Sequence, residues 1–115
     1  MDKVAKYKAI ARQIAEEVGK LGQTANDKVA TQLITDDEHG HYLLYFNGWR
    51  DEESRTYGCF LHIDVNPDGK VWLQNDGTDL EIAKMLVEKG VSKKDVVLGF
   101  YAPYRRELAS DWAEA

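Results

Sequence analysis

The first 21 residues repeat apolar side chains at alternating intervals of three and four residues. This spacing places them on one stripe of an α-helix and leaves most lysines and glutamates on its other side. Gly22 is suited to end such a helix. We predict a helix over residues 2–22 that is laid on a sheet, because the pattern is short for its alternative, a coiled-coil seam. The stripe consists of Val4, Tyr7, Ala11, Ile14, Val18 and Leu21.

Four segments after this helix are rich in β-branched and aromatic residues, and polar turns separate them, which is typical of β-strands. They span residues 29–35, 41–49, 55–65 and 70–75. The second is apolar on both parities, which indicates a central strand. A later extended segment, residues 96–101, can add a fifth strand.

A second helix is predicted from Leu80 to Lys89. Thr78 and Glu81 have the spacing of a capping box at its start, and Gly90 can stop it. These elements predict an α+β fold: a four- or five-stranded mainly antiparallel sheet, with the N-terminal helix and the second helix packed on one face. We expect one domain that spans all 115 residues.

The turn between the third and fourth strands can be located, and it sets their register. Pro67 suits the first central position of a β-turn, and Gly69 suits the left-handed position that closes it. Such a turn usually makes a three-residue loop with a bulge, which puts Asn66 across from Lys70. The cross-strand pairs predicted from this register are Val65 with Val71, Ile63 with Leu73, Asp64 with Trp72, and His62 with Gln74.

These pairs divide the hairpin into an apolar face and a face of aromatic and polar side chains. We expect the two helices to cover the apolar face, since a register slip of one would bury Trp72 and break the apolar pairs. Large aromatic groups among polar ones are typical of a recognition surface. The alternative is a solvated face that the C-terminus of the chain partly covers. The candidate residues for binding a partner or ligand are Phe60, His62, Asp64, Trp72 and Gln74.

The charge of the chain argues against a protein that coats nucleic acid. Its 15 Lys and Arg face 20 Asp and Glu, for a formal net charge of −5, and the densest basic groups are the pairs Lys93-Lys94 and Arg105-Arg106. High affinity for DNA needs clustered Lys and Arg. We therefore expect no direct high-affinity contact with nucleic acid. We also expect no membrane contact, because no apolar run approaches the roughly 18 residues of a span.

His62 and Asp64 offer one chemical option. An imidazole and a carboxylate side by side on a strand can bind a metal ion or orient a general base, and His39-Gly40-His41 can add ligands. The alternative function is therefore a metal-dependent hydrolase or a small-ligand-binding protein that uses this pair. No third ligand stands at a diagnostic spacing, and a surface hydrogen-bonded pair is the simpler interpretation. We predict no catalytic residue, no metal and no cofactor.

The single cysteine, Cys59, cannot form an internal disulfide, which fits a reducing cytoplasm. Its parity is opposite to that of His62. We therefore predict that the Cys59 side chain points into the core as a small apolar group.

A series of short motifs runs in order along nearly the full length of the chain. It consists of Met1-Asp2-Lys3 with Tyr7, Gly48-Trp49, Gly58-Cys59, His62-Ile63-Asp64, Gly69-Lys70-Val71-Trp72 with Gln74, Asp76-Gly77-Thr78, Ile82-Ala83, Gly90-Val91, Lys94-Asp95, Val97-Leu98-Gly99-Phe100 and Pro103-Tyr104-Arg105. With this series the chain resembles the XisI family, the fdxN element excision controlling factor proteins, which are found chiefly in cyanobacteria.

The resemblance implies an accessory or controlling role in the programmed excision of a DNA element during heterocyst differentiation. In that system the family acts beside a recombinase and a companion protein, XisH, that looks like a nuclease. The resemblance supplies no catalytic residue. We expect a non-catalytic accessory factor that acts through protein–protein contacts. Its expected partners are a second copy of itself, in a homodimer formed through the Trp72 face, and an XisH-like companion protein.

Overall fold

The chain folds into a long helix, a four-strand meander and four shorter elements, as described for residues 2–25, 28–108 and 112–114 of a computed structural model. From the first helix to the fifth strand, the helices and strands occur in the order that the sequence predicts. They are α1 (Lys3–Ala25), β1 (Val29–Asp36), β2 (His41–Trp49), β3 (Arg55–Val65), β4 (Val71–Asp76), α2 (Ile82–Glu88), a 3₁₀ turn (Lys93–Asp95), β5 (Val96–Leu98) and α3 (Pro103–Leu108).

The five strands form one sheet in which their spatial order is their order in the chain. β1, β2, β3 and β4 pair antiparallel, and β5 pairs parallel with β4. A parallel pair needs a crossover, and the segment that contains α2 supplies it. The predicted α+β fold with a mainly antiparallel sheet is confirmed. The late strand is shorter than predicted, because it ends at Leu98.

One face of the sheet, which we call the inner face, packs against α1 and α2. Its strand side chains interlock with the helical stripe around fully buried residues such as Tyr42, Leu44 and Ile63. Every predicted stripe residue from Tyr7 to Val18 is buried, and Val4 is partly buried. The remaining buried side chains of this core include Ile10, Leu61, Val65, Val71, Leu73, Ile82, Leu86, Val91 and Val96.

The C-terminal end of α1 departs from the prediction in two ways. The helix continues past Gly22 to Ala25, and the Leu21 side chain is 58% exposed instead of buried. Leu21 points within about 20° of the direction of Ile14, one heptad earlier, and Ile14 is fully buried. The exposure of Leu21 therefore follows from its place near the end of α1 and not from the direction of its side chain. Within the described ranges, no helix has the length and apolarity needed to cross a membrane.

The hairpin between β3 and β4 has the predicted turn. The Asn66 amide donates to the Lys70 carbonyl at 2.9 Å, and Gly69 has a positive φ of 88°. The pairs confirmed from the sequence are Val65 with Val71, Ile63 with Leu73, and Asp64 with Trp72.

The start of α2 is capped by a residue that the sequence prediction overlooked. Glu81 adopts the left-handed conformation at φ 54°, and no side chain there closes a capping box with Thr78, so that prediction is wrong. Asp76, at the end of β4, supplies the acceptors instead. Its Oδ1 accepts from the Thr78 amide at 2.9 Å, and its Oδ2 accepts from the Ile82 amide at 3.1 Å. A strand-end carboxylate thus satisfies the first turn of the helix.

A buried carboxylate ties α1 to the turn before β5. Asp95 accepts a hydrogen bond from the Tyr7 hydroxyl at 2.6 Å and lies 2.9 Å from the Lys3 ammonium. The Tyr7 oxygen in turn accepts from the Ser92 amide at 3.2 Å. Burial alone would raise the pKa of Asp95, but the Tyr7 hydroxyl and the Lys3 ammonium outweigh it and hold that pKa below its ordinary value.

We expect Asp95→Asn to lower the free energy of unfolding at neutral pH by about 1–3 kcal/mol, because it weakens hydrogen bonds to a buried charged acceptor. The folded-state pKa of Asp95 is lowered, so its contribution is complete above about pH 4, the ordinary range of an unfolded Asp, and is lost as the pH falls below that. Urea unfolding from pH 7 to pH 2 should therefore show the difference between the two proteins shrinking in acid. Asp79→Asn, at an exposed position, is the matched control; an equal loss in both variants would contradict the assignment.

Candidate functional site

The outer face is the side of the sheet turned away from α1. Along β1 to β3 it stays open in the described part of the chain, and its exposed side chains include Ile34, Trp49 and Tyr57. Gln32 and Asn47 bridge β1 and β2 here by a hydrogen bond of 3.1 Å. Polar and aromatic groups therefore share a surface that faces solvent.

An extra residue in β3 changes which side chains reach this face. Leu44 pairs with Leu61, but the next residue of β2, Tyr45, pairs with Cys59. Phe60 is left without a partner across the strands, which is the pattern of a β-bulge. Because directly opposite residues share a face, residues before and after the bulge follow opposite parities.

Phe60 consequently leaves the face on which the sequence places it. Its ring stacks on that of Phe46, with centroids 4.0 Å apart, and it packs against the inner core. The prediction that Phe60 continues the face of His62 and Asp64 is wrong. An aromatic side chain at a bulge can turn to the covered face, where burial of its ring is favourable.

The same bulge reverses the prediction for the cysteine. Cys59 stands opposite Tyr45 on the outer face, not in the core, and its side chain is half-buried. Its thiol donates to the Leu61 carbonyl at 3.2 Å. Burial raises the pKa of Cys59 despite that contact, so the thiol is held in its neutral form.

A second bulge lies in β4. Ile63 pairs with Leu73, whereas His62 pairs with Asn75, so Gln74 is the extra residue. The predicted pairing of His62 with Gln74 is therefore wrong. The Gln74 side chain still lies on the outer face, because it is two residues after Trp72 on the same strand and the alternation continues up to that point.

Three polar side chains on the outer face converge on the carboxylate of Asp64. Together with Asp64 we call them the polar cluster, and they are His41, His62 and Gln74. Asp64 Oδ1 lies 2.7 Å from His41 Nδ1 and 2.8 Å from His62 Nε2. Asp64 Oδ2 accepts from Gln74 Nε2 at 3.1 Å. The three partners come from β2, β3 and β4, so the cluster joins the three central strands.

Asp64 is the charged centre of this cluster. Its side chain is 14% exposed. Burial alone would raise the pKa of Asp64, but the hydrogen bonds from His41, His62 and Gln74 outweigh it and hold the pKa below its ordinary value. The carboxylate therefore stays ionised at neutral pH, with donors on both oxygens.

His41 is the member of the cluster that sequence spacing did not single out as a third ligand. The turn between β2 and β3 pairs Trp49 with Arg55, and an unbroken register from there would put His41 opposite Ile63. The bulge at Phe60 moves the register by one, and His41 comes to lie opposite Asp64. The two imidazole nitrogens and the carboxylate oxygen then lie within 4.8 Å of one another.

Trp72 lies on the outer face opposite Asp64, but the C-terminal part of the chain partly covers it. The Arg106 guanidinium lies over the Trp72 ring, 5.2 Å from its centroid. Arg106 is held in place by the Tyr101 and Glu114 carbonyls, at 2.8 and 2.9 Å. The alternative stated from the sequence, partial cover by the C-terminus, therefore applies at this end of the face.

The opposite end of the outer face carries an exposed aromatic cluster, made of Tyr45, Trp49, Arg55 and Tyr57. The Arg55 guanidinium lies 5.5 Å from the Trp49 ring centroid and 5.0 Å from that of Tyr57. The rings of Tyr45 and Tyr57 face each other across the strands, with their centroids 5.9 Å apart. Trp49 and Tyr57 remain 52% and 63% exposed. Trp, Tyr and Arg are the residues that most often dominate binding energy in protein interfaces.

The fold and this site define an α+β protein in which an N-terminal helix covers the inner face of a meander sheet, while the outer face carries exposed polar and aromatic side chains. Residues 1–113 match the model of the family described as XisI protein. The chain belongs to the XisI family, which confirms the resemblance seen in its sequence.

Two solved structures are similar over almost the whole chain. A XisI-like protein from Anabaena variabilis ATCC 29413 is 36% identical, with a TM-score of 0.87 over 97% of this chain and 99% of that one. The fdxN element excision controlling factor XisI from the same organism is 30% identical, with a TM-score of 0.85 over 99% of this chain and 100% of that one. No curated protein gives a significant match.

We expect Phe60→Ala to lower the free energy of unfolding by about 2 kcal/mol, because it removes a ring that is packed between Phe46 and the core. Tyr57→Ala, three residues earlier on the same strand and exposed, should change it by less than about 0.5 kcal/mol. Urea titration of both variants measures the difference. If Phe60→Ala left the free energy of unfolding unchanged, the assignment of Phe60 to the inner face would be contradicted.

Proposed function

We propose that this protein is a non-catalytic accessory factor that controls the excision of a DNA element through protein–protein contacts. Its family and the similarity to an excision controlling factor over the whole chain support the general role. The observation that carries the mode of action is the open outer face with its exposed aromatic cluster. Exposed aromatic side chains among polar ones are typical of a surface that binds another protein.

The proposed contact surface is the outer face as a whole. It has two parts: the aromatic cluster, and the polar cluster with Trp72 beside it. Exposed aromatic rings can supply the desolvated anchors of an interface, and the polar cluster can supply its hydrogen-bonding rim. Phe60 supports this surface from behind.

The first proposed occupant of the outer face is a second copy of the chain. A sheet face can pack on its own copy around a two-fold axis, so that the interface contains the aromatic cluster twice, once from each chain. An XisH-like companion protein is the further partner that this role calls for. The two interactions can use the same face in turn.

Tyr57→Ala should weaken self-association by at least about tenfold, because an exposed Tyr between Tyr45 and Arg55 is a typical anchor. Sedimentation velocity over a concentration series measures the dissociation constant. Trp72→Ala should have a smaller effect and leave the monomer folded, since Arg106 already lies over that ring.

Leu80→Ala is the control for this experiment, because it removes an exposed apolar side chain from the connection into α2. It should leave the assembly unchanged. A wild-type protein that is monomeric at every concentration would refute self-association and leave the companion protein as the proposed occupant.

The isolated protein should bind duplex DNA no more tightly than about 1 µM at physiological salt, because its net charge of −5 repels phosphates. A gel-shift titration in physiological salt tests this. Nanomolar affinity there would contradict a role exerted through protein contacts and would favour direct DNA recognition.

A second candidate is a small-ligand-binding protein or a metal-dependent hydrolase that uses His62 and Asp64. It is favoured by His41, whose Nδ1 lies 2.7 Å from Asp64 Oδ1 and so joins that pair. Turnover of a chromogenic phosphodiester by the wild-type protein, abolished by Asp64→Ala, would favour this candidate over the accessory role.

A further inference from the structure

We propose that the polar cluster is a binding site for one divalent transition-metal ion, held by His41 Nδ1, His62 Nε2 and Asp64 Oδ1. These three atoms lie within 4.8 Å of one another and belong to two adjacent strands. His41 pairs directly with Asp64 across these strands, and His62 lies two residues before Asp64 on the same strand. Metal binding is a property of the isolated chain, so the proposal does not depend on the accessory role.

The donor set selects the kind of ion. Two imidazoles and one carboxylate suit zinc and its neighbours in the first transition row, whereas magnesium and calcium prefer sites built from oxygen. Three protein ligands with an open position are typical of zinc sites that keep a water molecule. Zinc is therefore the appropriate probe and magnesium the contrasting ion.

The spacing of the cluster is close to that of a coordination sphere. Around a tetrahedral zinc ion with bonds of roughly 2.0–2.1 Å, neighbouring ligand atoms are about 3.3 Å apart. The two nitrogen–oxygen distances, 2.7 and 2.8 Å, are those of hydrogen bonds and would each open by about half an ångström. Small rotations of the imidazole rings can supply this movement. The ion would then replace the two ring protons that face Asp64.

Gln74 orients the carboxylate for this role. It donates to Asp64 Oδ2 at 3.1 Å and so leaves Oδ1 as the oxygen that faces both histidines. Hydrogen bonds of this kind, made to the atoms beside a metal ligand, commonly strengthen metal binding by about 10–100-fold. A histidine and an aspartate alone on a surface would have no such third residue to hold the carboxylate in one orientation.

An ion bound at this position would be accessible to solvent. The His41 side chain is 48% exposed and that of His62 is 30% exposed, while Asp64 lies deeper. Coordination positions not used by the protein would therefore point away from the sheet. A water molecule or an anionic group of a small ligand can occupy them.

Isothermal titration of the untagged wild-type protein with zinc chloride tests the proposal, because a polyhistidine tag would bind the same ion. We expect one ion per chain with a dissociation constant of about 1 µM, and no binding of magnesium in the same range. His41→Ala and His62→Ala should each weaken zinc binding by at least about tenfold. Both side chains are partly exposed, so each variant provides an independent test if the other fails to fold.

His39→Ala is the matched control. His39 lies two residues from His41 and its ring stacks beside it at 6.4 Å, but its Nδ1 is bound to Asp36 at 2.8 Å and lies outside the cluster. This variant should keep the wild-type affinity. A wild-type dissociation constant above about 1 mM, an equal loss in His39→Ala, or an undiminished affinity in both His41→Ala and His62→Ala would overturn the proposal.

Discussion

A β-strand turns each side chain to one face of its sheet or to the other, and α1 and α2 cover one face of this sheet. A single extra residue in β3 therefore redistributes side chains between a packed core and an open surface. It moves Phe60 onto Phe46 and the core, brings Cys59 to the outer face, and carries His41 from Ile63 to Asp64. The polar cluster exists because of this one-residue displacement.

Two carboxylates organise the polar interactions on the two sides of the sheet. Asp95, on the helix side, binds Tyr7 and Lys3 and joins α1 to the turn before β5. Asp64, on the outer side, gathers donors from three strands. In both places a carboxylate with little exposure remains charged because several donors converge on it, which keeps the cost of its burial small. The first network joins a helix to the turn before β5, whereas the histidines of the second are partly exposed to solvent.

The outer face combines two kinds of surface that are suited to different tasks. At one end Trp49, Arg55 and Tyr57 form an exposed stack with the composition of an interface anchor. At the other, Arg106 lies over Trp72 and the C-terminal segment adds a bridge beside β5. Between them lies the polar cluster. A molecule bound to the aromatic cluster would therefore lie on the same face of the sheet as the polar cluster.

Local patterns in the sequence determined the elements, the family and most of the core. The stripe from Val4 to Val18 and the turn at Pro67 and Gly69 depend on neighbours along the chain, so the helix, the hairpin turn and the three strand pairs next to that turn followed from spacing alone. The positions of Phe60 and Cys59 and the cross-strand partner of His62 did not, because a bulge leaves no signature in composition and is decided by how neighbouring strands pack on the helices. The capping of α2 by Asp76 and the meeting of His41 with Asp64 likewise join residues from separate elements. Only the tertiary structure brings those residues together, since the contacts that hold them span 6 and 23 positions of the chain.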